Sequence, residues 1–276
     1  MDYQNIDMNY LTLSSIKDGL KEHYHNGYEL IFITEGSSKF IINNSNYDFP
    51  KNHLLFINNV EKHKMFPKSI PYSRYMVIID SDYLDDIIKE NELLSIFKIR
   101  PSNFKHGFRI IDEDVPFVKS ILNNLNNIYS KKESLWYIEF TSTLASFLVY
   151  IYRNYNNQFP IMNVKKSEQK VFEIQQYIDK NFKKNITLNF LSSKFFISKY
   201  YLSHTFKHVT GFTIKQYILL KRIAHAKDRL YHTDDDITTI ALSSGFNSQS
   251  NFIRLFKKKE SITPLKFRKY HKENTV

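Results

Sequence analysis

A chain of 276 residues that is 42% hydrophobic and 24% charged is long enough for two domains with their own cores, which excludes disorder as its main state. It has no Cys, so disulfides, thiolate metal sites and a Cys nucleophile are excluded. The formal net charge of +11 is unevenly placed: residues 165–276 hold 22 Lys and Arg against 9 Asp and Glu, while residues 1–164 hold 17 against 19. The basic half implies a polyanionic partner, with nucleic acid ahead of anionic membrane because no basic amphipathic anchor is evident.

The N-terminal MDYQNIDMNY is polar and acidic where a signal peptide would be basic and then apolar. The most apolar stretch, Leu144 to Tyr152, is too short to span a bilayer. A soluble cytoplasmic protein without a membrane partner is therefore expected. From Tyr28 to Asp80, short apolar runs (YELIFIT, SKFII, YDF, HLLFIN, YMVIID) alternate with turn residues and predict antiparallel strands. From Ser81 the period becomes helical, with Leu84, Ile87 and Ile88 and then Leu93, Leu94 and Phe97. Asp114 and Pro116 start a helix whose stripe contains Ile121, Leu122, Leu125 and Ile128, and Glu133 to Tyr155 predicts a longer one. Arg153 to Ser167 has no period and is the expected linker between a first domain, 1–160, and a second, 161–276.

The second domain is helical throughout and contains an internal repeat. Ile186, Leu191, Ser192 and Ser193 match Ile237, Leu242, Ser243 and Ser244, and after one gap Ser198, Leu202, Phe206, Lys207, Thr213 and Tyr217 match Ser248, Phe252, Phe256, Lys257, Thr263 and Phe267. Each copy predicts a short helix, a tight turn and a longer helix, which is a helix-turn-helix; the units lie at about 187–210 and 236–260. Asp236 is the expected cap of the second short helix, with Gly245 closing it, and Thr187 or Asn185 caps the first, whose turn lies near Phe196. Ser198 and Ser248 cap the longer helices.

Those longer helices have two faces. Leu202, Phe206 and Val209, and Phe252, Leu255 and Phe256, point inward. Outward point Lys199, Tyr200, Ser203 and His204 in the first helix and Gln249, Ser250, Asn251 and Arg254 in the second, side chains able to read base edges. Lys207, Lys257 and Lys258 toward the C-terminal ends, with Ser198 and Ser248 at the caps, are candidate phosphate contacts. A solvated polar stripe explains one such face equally well, but two copies joined by a nearly twenty-residue helix, Thr213 to Tyr231, favour a double-stranded DNA reader.

RIAHAKDRL (Arg222–Leu230), KYYLSHTFKHVTG (Lys199–Gly211) and DITTIALSSGFNSQSNFIRLFKKKESITPLKFRKY (Asp236–Tyr270) resemble the AraC/XylS family of bacterial transcription regulators over nearly all of residues 168–271. The resemblance implies a DNA-binding domain of seven helices with the duplicated unit. The sequence departs from the family pattern at Ser192, where a small residue is usual, and at Ser261, where Gly is usual before Thr-Pro.

In the first half, HYHNGYELIFITEG (His23–Gly36) resembles the first cupin motif, with His23, His25, Glu29 and Gly36 in register. In metal-dependent cupins such His and Glu residues bind a divalent metal together with a His from a second motif. The corresponding segment here is PKNHLL (Pro50–Leu55), with Leu55 in the ligand position and Asn52 in place of Gly, so no metal and no other cofactor is expected. His53 or His63 would be the only substitutes. Three alternatives stay open for His23, His25, Glu29 and His63: the lining of a small-molecule effector pocket, structural histidines, or a metal site.

The fold class expected is α+β: a cupin-like antiparallel β-barrel followed by helices, then an all-α domain of seven helices. The function expected is a sequence-specific transcription regulator, not an enzyme, controlled by an effector in the barrel. As an activator it would contact RNA polymerase, and the resemblance implies a homodimer, with Ile121, Leu122, Leu125 and Ile128 as the matching candidates; the same stripe covering the sheet is the alternative. A metal-dependent cupin enzyme carrying a DNA-binding tail is the alternative, and a non-specific architectural DNA binder is a third possibility.

Overall fold

The computed structural model describes residues 6–15, 25, 27–101, 104–160 and 166–273. The chain divides into two compact units, residues 1–164 and 165–276, a division four residues beyond the expected position.

The first unit is built on a six-stranded antiparallel sheet in the order β1-β5-β2-β4-β6, with β3 paired to β2. Its strands are β1 (Ile6–Leu13), β2 (Gly27–Ile42), β3 (Ser45–Pro50), β4 (His53–Ile57), β5 (His63–Asp80) and β6 (Gly107–Arg109). Two runs expected as separate strands, YELIFIT and SKFII, are one 16-residue strand that bends where its register against β5 shifts between Ile33 and Ser38. Gly36 sits in that bend with φ +72°, where a Cβ would come within 2.5 Å of the Pro71 carbonyl oxygen. The bend folds both halves of β2 around one core of Ile31, Ile33, Phe40, Ile42, Leu55, Ile57, Met65 and Tyr72.

Residues 27–33 are buried on both faces, which explains why Glu29 alone interrupts their apolar character. Glu29, Ile31 and Ile33 face inward, while Tyr28 stacks on Phe97 at 4.9 Å between ring centres and Phe56 meets the same ring at 5.2 Å. Phe97 belongs to α2 (Asn91–Lys98), which follows α1 (Ser81–Ile87), itself capped by the Asp80 carboxylate. Next come α3 (Val115–Lys131) and α4 (Trp136–Asn154), with Pro in the first turn of α3 as its sequence requires. Helix α4 extends into the start of the expected linker, and a short 3₁₀ turn follows at Asn156–Gln158.

The α3 stripe needs a correction. Leu122, Leu125 and Ile128 are buried within their own unit, where α3 packs on α4 and β1, and Ile121 is half-buried. Only Ile121 of the four expected dimer residues reaches the surface. Burial wins because a one-sided sheet must be covered before a helix stripe is free for a partner.

Among the described residues the second unit has seven helices: α5 (Lys166–Asn181), α6 (Leu188–Lys194), α7 (Lys199–Thr210), α8 (Ile214–His232), α9 (Ile237–Ser243), α10 (Gln249–Glu260) and α11 (Pro264–Glu273). Helix α8 runs unbroken for 19 residues from a reciprocal cap between Thr213 and Gln216. It is the hub of the unit. Tyr217 donates to Asp179 at 2.8 Å and accepts from Gln175 at 3.1 Å, while Lys221 lies 3.6 Å from the same carboxylate, all of it buried. Arg222 donates to the carbonyls of Phe182 and Lys184, binding α8 to the segment ahead of α6.

Candidate DNA-reading face and effector cavity

The helix pairs α6–α7 and α9–α10 repeat one another, but the short helices align two residues away from the expected register: buried Leu191 corresponds to buried Ile240, whereas Leu242 is exposed. Thr187, rather than Asn185, caps α6 by accepting from the Phe190 amide, and Asp236 caps α9 by accepting from the Thr238 and Thr239 amides. The turns differ. Gly245 takes the left-handed position with φ +86° in the second, whereas in the first, one residue shorter, Phe196 does so with φ +53° and 91% of its surface exposed. Ser198 and Ser248 cap α7 and α10 through their hydroxyl oxygens, a structural role beside their expected nearness to phosphate.

The inward face is as expected: Leu202, Phe206, Val209, Phe252 and Phe256 are buried, and Leu255 is partly so. Lys199, Tyr200, Ser203, His204 and Lys207 are exposed on α7, and Gln249, Ser250, Arg254, Lys257 and Lys258 on α10, with Asn251 half-exposed. The side chains on each face are not equally free. Tyr200, 84% exposed, stacks loosely on His204 at 6.4 Å, and Arg254 donates to Asn251 Oδ1 at 3.0 Å. That second contact pre-orients a fork of donors beside an amide, the pairing suited to a base edge. Both helices end on left-handed residues, Gly211 at φ +77° and Ser261 at φ +65°.

In the first unit the inward sheet face lines an open cavity of about 360 Å³. The register explains its lining: Leu11 and Ile33 flank Arg74, Asn9 and Ile31 flank Met76, Glu29 lies opposite Ile78, and Phe40 lies opposite Met65. Directly paired strand residues share a face, so these side chains converge. Leu11, Ile31, Phe40, Met65, Met76 and Ile78 form apolar walls, with Asn9, Tyr10, Glu29, His63 and Arg74 supplying the polar lining.

Three of the expected effector residues come together. Glu29 Oε2 is 2.9 Å from His63 Nε2 and 3.3 Å from His25 Nε2, and both His63 and Glu29 are buried. Burial opposes charge on Glu29, yet the His63 charge and the hydrogen bonds of His25 and His63 outweigh it and hold the carboxyl well below its usual value. Burial likewise pulls His63 down, and Glu29 beside it raises the imidazole above its usual value. His23 lies outside the described residues.

The Pro50–Leu55 segment supplies no side chain to the site. Leu55 is core, and His53 directs Nδ1 to the Lys51 carbonyl, while Asn52 adopts φ +64°, the left-handed geometry of the Gly it replaces. His63, after the next turn, supplies the imidazole. Arg74 joins the site without any motif to mark it. It lies 4.0 Å from Glu29 Oε1 and is buried, and the signal was an Arg inside the apolar run YMVIID's own strand.

A sheet domain with a lined cavity and a domain with two capped helix-turn-helix units, their polar faces outward, define a DNA-binding transcription regulator with a sensor domain. The AraC-like ligand binding domain matches residues 5–135 and the helix-turn-helix domain residues 191–270. The chain belongs to the AraC/XylS family. It is 24% identical over 250 residues to the HTH-type transcriptional activator RhaS of Mannheimia succiniciproducens, covering 90% of this chain and 88% of that one. Over 99 residues it is 40% identical to the bifunctional transcriptional activator/DNA repair enzyme AdaA of Bacillus subtilis, covering 36% of this chain and 47% of that protein. Its fold is that of ToxT from Vibrio cholerae, solved with an unsaturated fatty acid bound: TM-score 0.60, 15% identity, 97% of this chain and 96% of that one. No described helix is long and apolar enough to cross a membrane.

Proposed function

We propose that the protein is a transcription activator in which a small molecule held in the sheet cavity controls DNA binding by α7 and α10. The observation that carries this is the cavity itself: apolar walls around a buried Glu29, His63 and Arg74, in the domain ahead of the reader. Activation, and with it contact to RNA polymerase, rests on the likeness to RhaS, which is named an activator. Dimerisation through the first domain rests on the surface around Ile121, because the rest of its stripe is buried. The likeness to AdaA spans less than half of that protein, so its repair activity is not carried over.

The test has two arms. Genome-wide mapping of bound sites identifies the controlled genes, and a thermal-shift panel of metabolites drawn from the products of those genes identifies the effector. A cavity that no compound stabilises, with site occupancy unchanged by any of them, overturns the sensor assignment and leaves a constitutive DNA binder.

A second proposal has one observation in its favour. Ligand atoms of His25, Glu29 and His63 lie within 4.8 Å of one another, close enough to hold a divalent metal. Glu29 Oε2 already lies 2.9 Å from His63 Nε2, an ion pair that balances the carboxylate without a metal. Metal analysis of the purified protein decides between them: stoichiometric metal that is lost in His63→Asn supports the ion.

A further inference from the structure

The polar end of the cavity holds more donors than acceptors. Glu29 is committed to His25 and His63 through Oε2. Arg74, only 5% exposed, lies 4.0 Å from Glu29 Oε1, which is an ion pair without a hydrogen bond, and its Nε has no hydrogen-bond partner. A buried guanidinium nitrogen left without a hydrogen bond is costly, and such a group is tolerated where a ligand completes it. Its neighbours across the sheet are Leu11 and Ile33, neither of which can accept a hydrogen bond through its side chain.

Resting on the effector-cavity assignment above, we propose the chemical class of the effector: an amphipathic monocarboxylate whose headgroup is received by Arg74 and whose apolar body fills the cavity. Three observations select this class. The guanidinium fork matches a carboxylate in two-pronged geometry. Glu29, 4.0 Å away, repels a second negative charge, which disfavours a phosphate dianion. Leu11, Ile31, Phe40, Met65, Met76 and Ile78 offer nothing to the ring of hydroxyls that a sugar carries, and the volume is at the small end of those that hold drug-sized ligands.

Calorimetric titration of the full chain with 3-phenylpropionate, 3-phenylpropanol and D-xylose tests this, since the first two differ only at the head. The acid is expected to bind at least about tenfold more tightly than the alcohol, the loss expected for a charge-assisted hydrogen bond. Arg74→Gln should remove the difference while leaving alcohol binding, and Met76→Trp, which fills the cavity, should remove both. Alcohol binding as tight as acid, or a preference that survives in Arg74→Gln, overturns the assignment to Arg74. If the alcohol or xylose binds at least as tightly as the acid in the wild type, the cavity is an effector site for neutral compounds and the carboxylate class is wrong. If none of the three binds, both the class and the cavity assignment fail. The wild-type comparison needs no variant, so poor folding of Arg74→Gln does not rescue the proposal.

Discussion

Arg254 donates a hydrogen bond to Asn251 across one turn of the exposed face of α10, at 3.0 Å. The pair costs Arg254 little freedom on DNA binding, because the guanidinium is already placed beside the amide. Arg254→Ala is expected to weaken binding at the cognate site by about 1–3 kcal/mol and to relax preference at one base position. Binding titrations against a panel of single-base variants of the site measure both. Equal losses at every sequence would reassign Arg254 to the phosphates.

Lys257 lies near the C-terminal end of α10 and is exposed. A lysine meeting phosphate positions the helix without reading sequence. Lys257→Ala should therefore lower affinity uniformly and reduce the slope of log K against log salt by about one unit. A salt slope identical to wild type would remove Lys257 from the interface.

Ser261 occupies the left-handed end of α10, where its counterpart on α7 is Gly211. A side chain pays for that backbone geometry, so Ser261→Gly should stabilise the second unit by about 1 kcal/mol. Gly245→Ala should do the reverse by more, because a Cβ there would lie 2.6 Å from Lys183 Cα and 2.7 Å from its carbonyl oxygen at φ +86°. Thermal melts of the two variants should move in opposite directions. A rise in both would show that the turns tolerate any residue.

The buried Glu29–His63 pair predicts a pH window. His63 has its folded pKa raised, so its contribution is complete below the ordinary value of 6.5 and fades as pH rises through the folded value. Glu29 has its folded pKa lowered, so its contribution is complete above the ordinary 4.5 and fades as pH falls through the folded value. The two overlap at roughly pH 5–6. His63→Asn should destabilise most in that window and less at alkaline pH, as followed by melting temperature against pH. A difference that grows with alkalinity would mean that His63 is held neutral.

Leu125 is fully buried. Leu125→Ala should cost about 2–5 kcal/mol of folding stability as a cavity mutation. Ile121→Asp, by contrast, should leave the melting temperature nearly unchanged and lower the apparent mass in sedimentation if the surface around it joins two copies. An unchanged mass would place the dimer contact elsewhere.

The reader domain was legible because a duplicated pattern is a long signal: caps at Asp236, Ser198 and Ser248, the Gly245 turn and the inward Phe206 and Phe256 are all where the repeat puts them. The sensor domain was less so. Strand β1, IDMNYLTL, hid because polar Asn9 faces the cavity and Tyr10 is exposed, which blurs the alternation. His63 was overshadowed by the better-looking Pro50–Leu55 segment, although β4 commits Leu55 to the core. Arg74 and Glu29 are 45 positions apart, and only the β2–β5 register brings them together. The α3 stripe has the same periodicity whether it covers its own sheet or a partner, so no pattern along the chain separates the two.

Helix α8 lies between the two reader pairs as 19 unbroken residues. Each residue of a helix advances it by about 1.5 Å and turns it by about 100°. One inserted residue would swing one pair around the axis of the other by more than a quarter of a revolution. The distance between the two DNA segments that the protein accepts is thus a whole-number quantity, counted in the residues of a single helix. An operator whose half-sites have drifted apart must be accommodated by twisting or bending the duplex, because the protein has no partial step to offer.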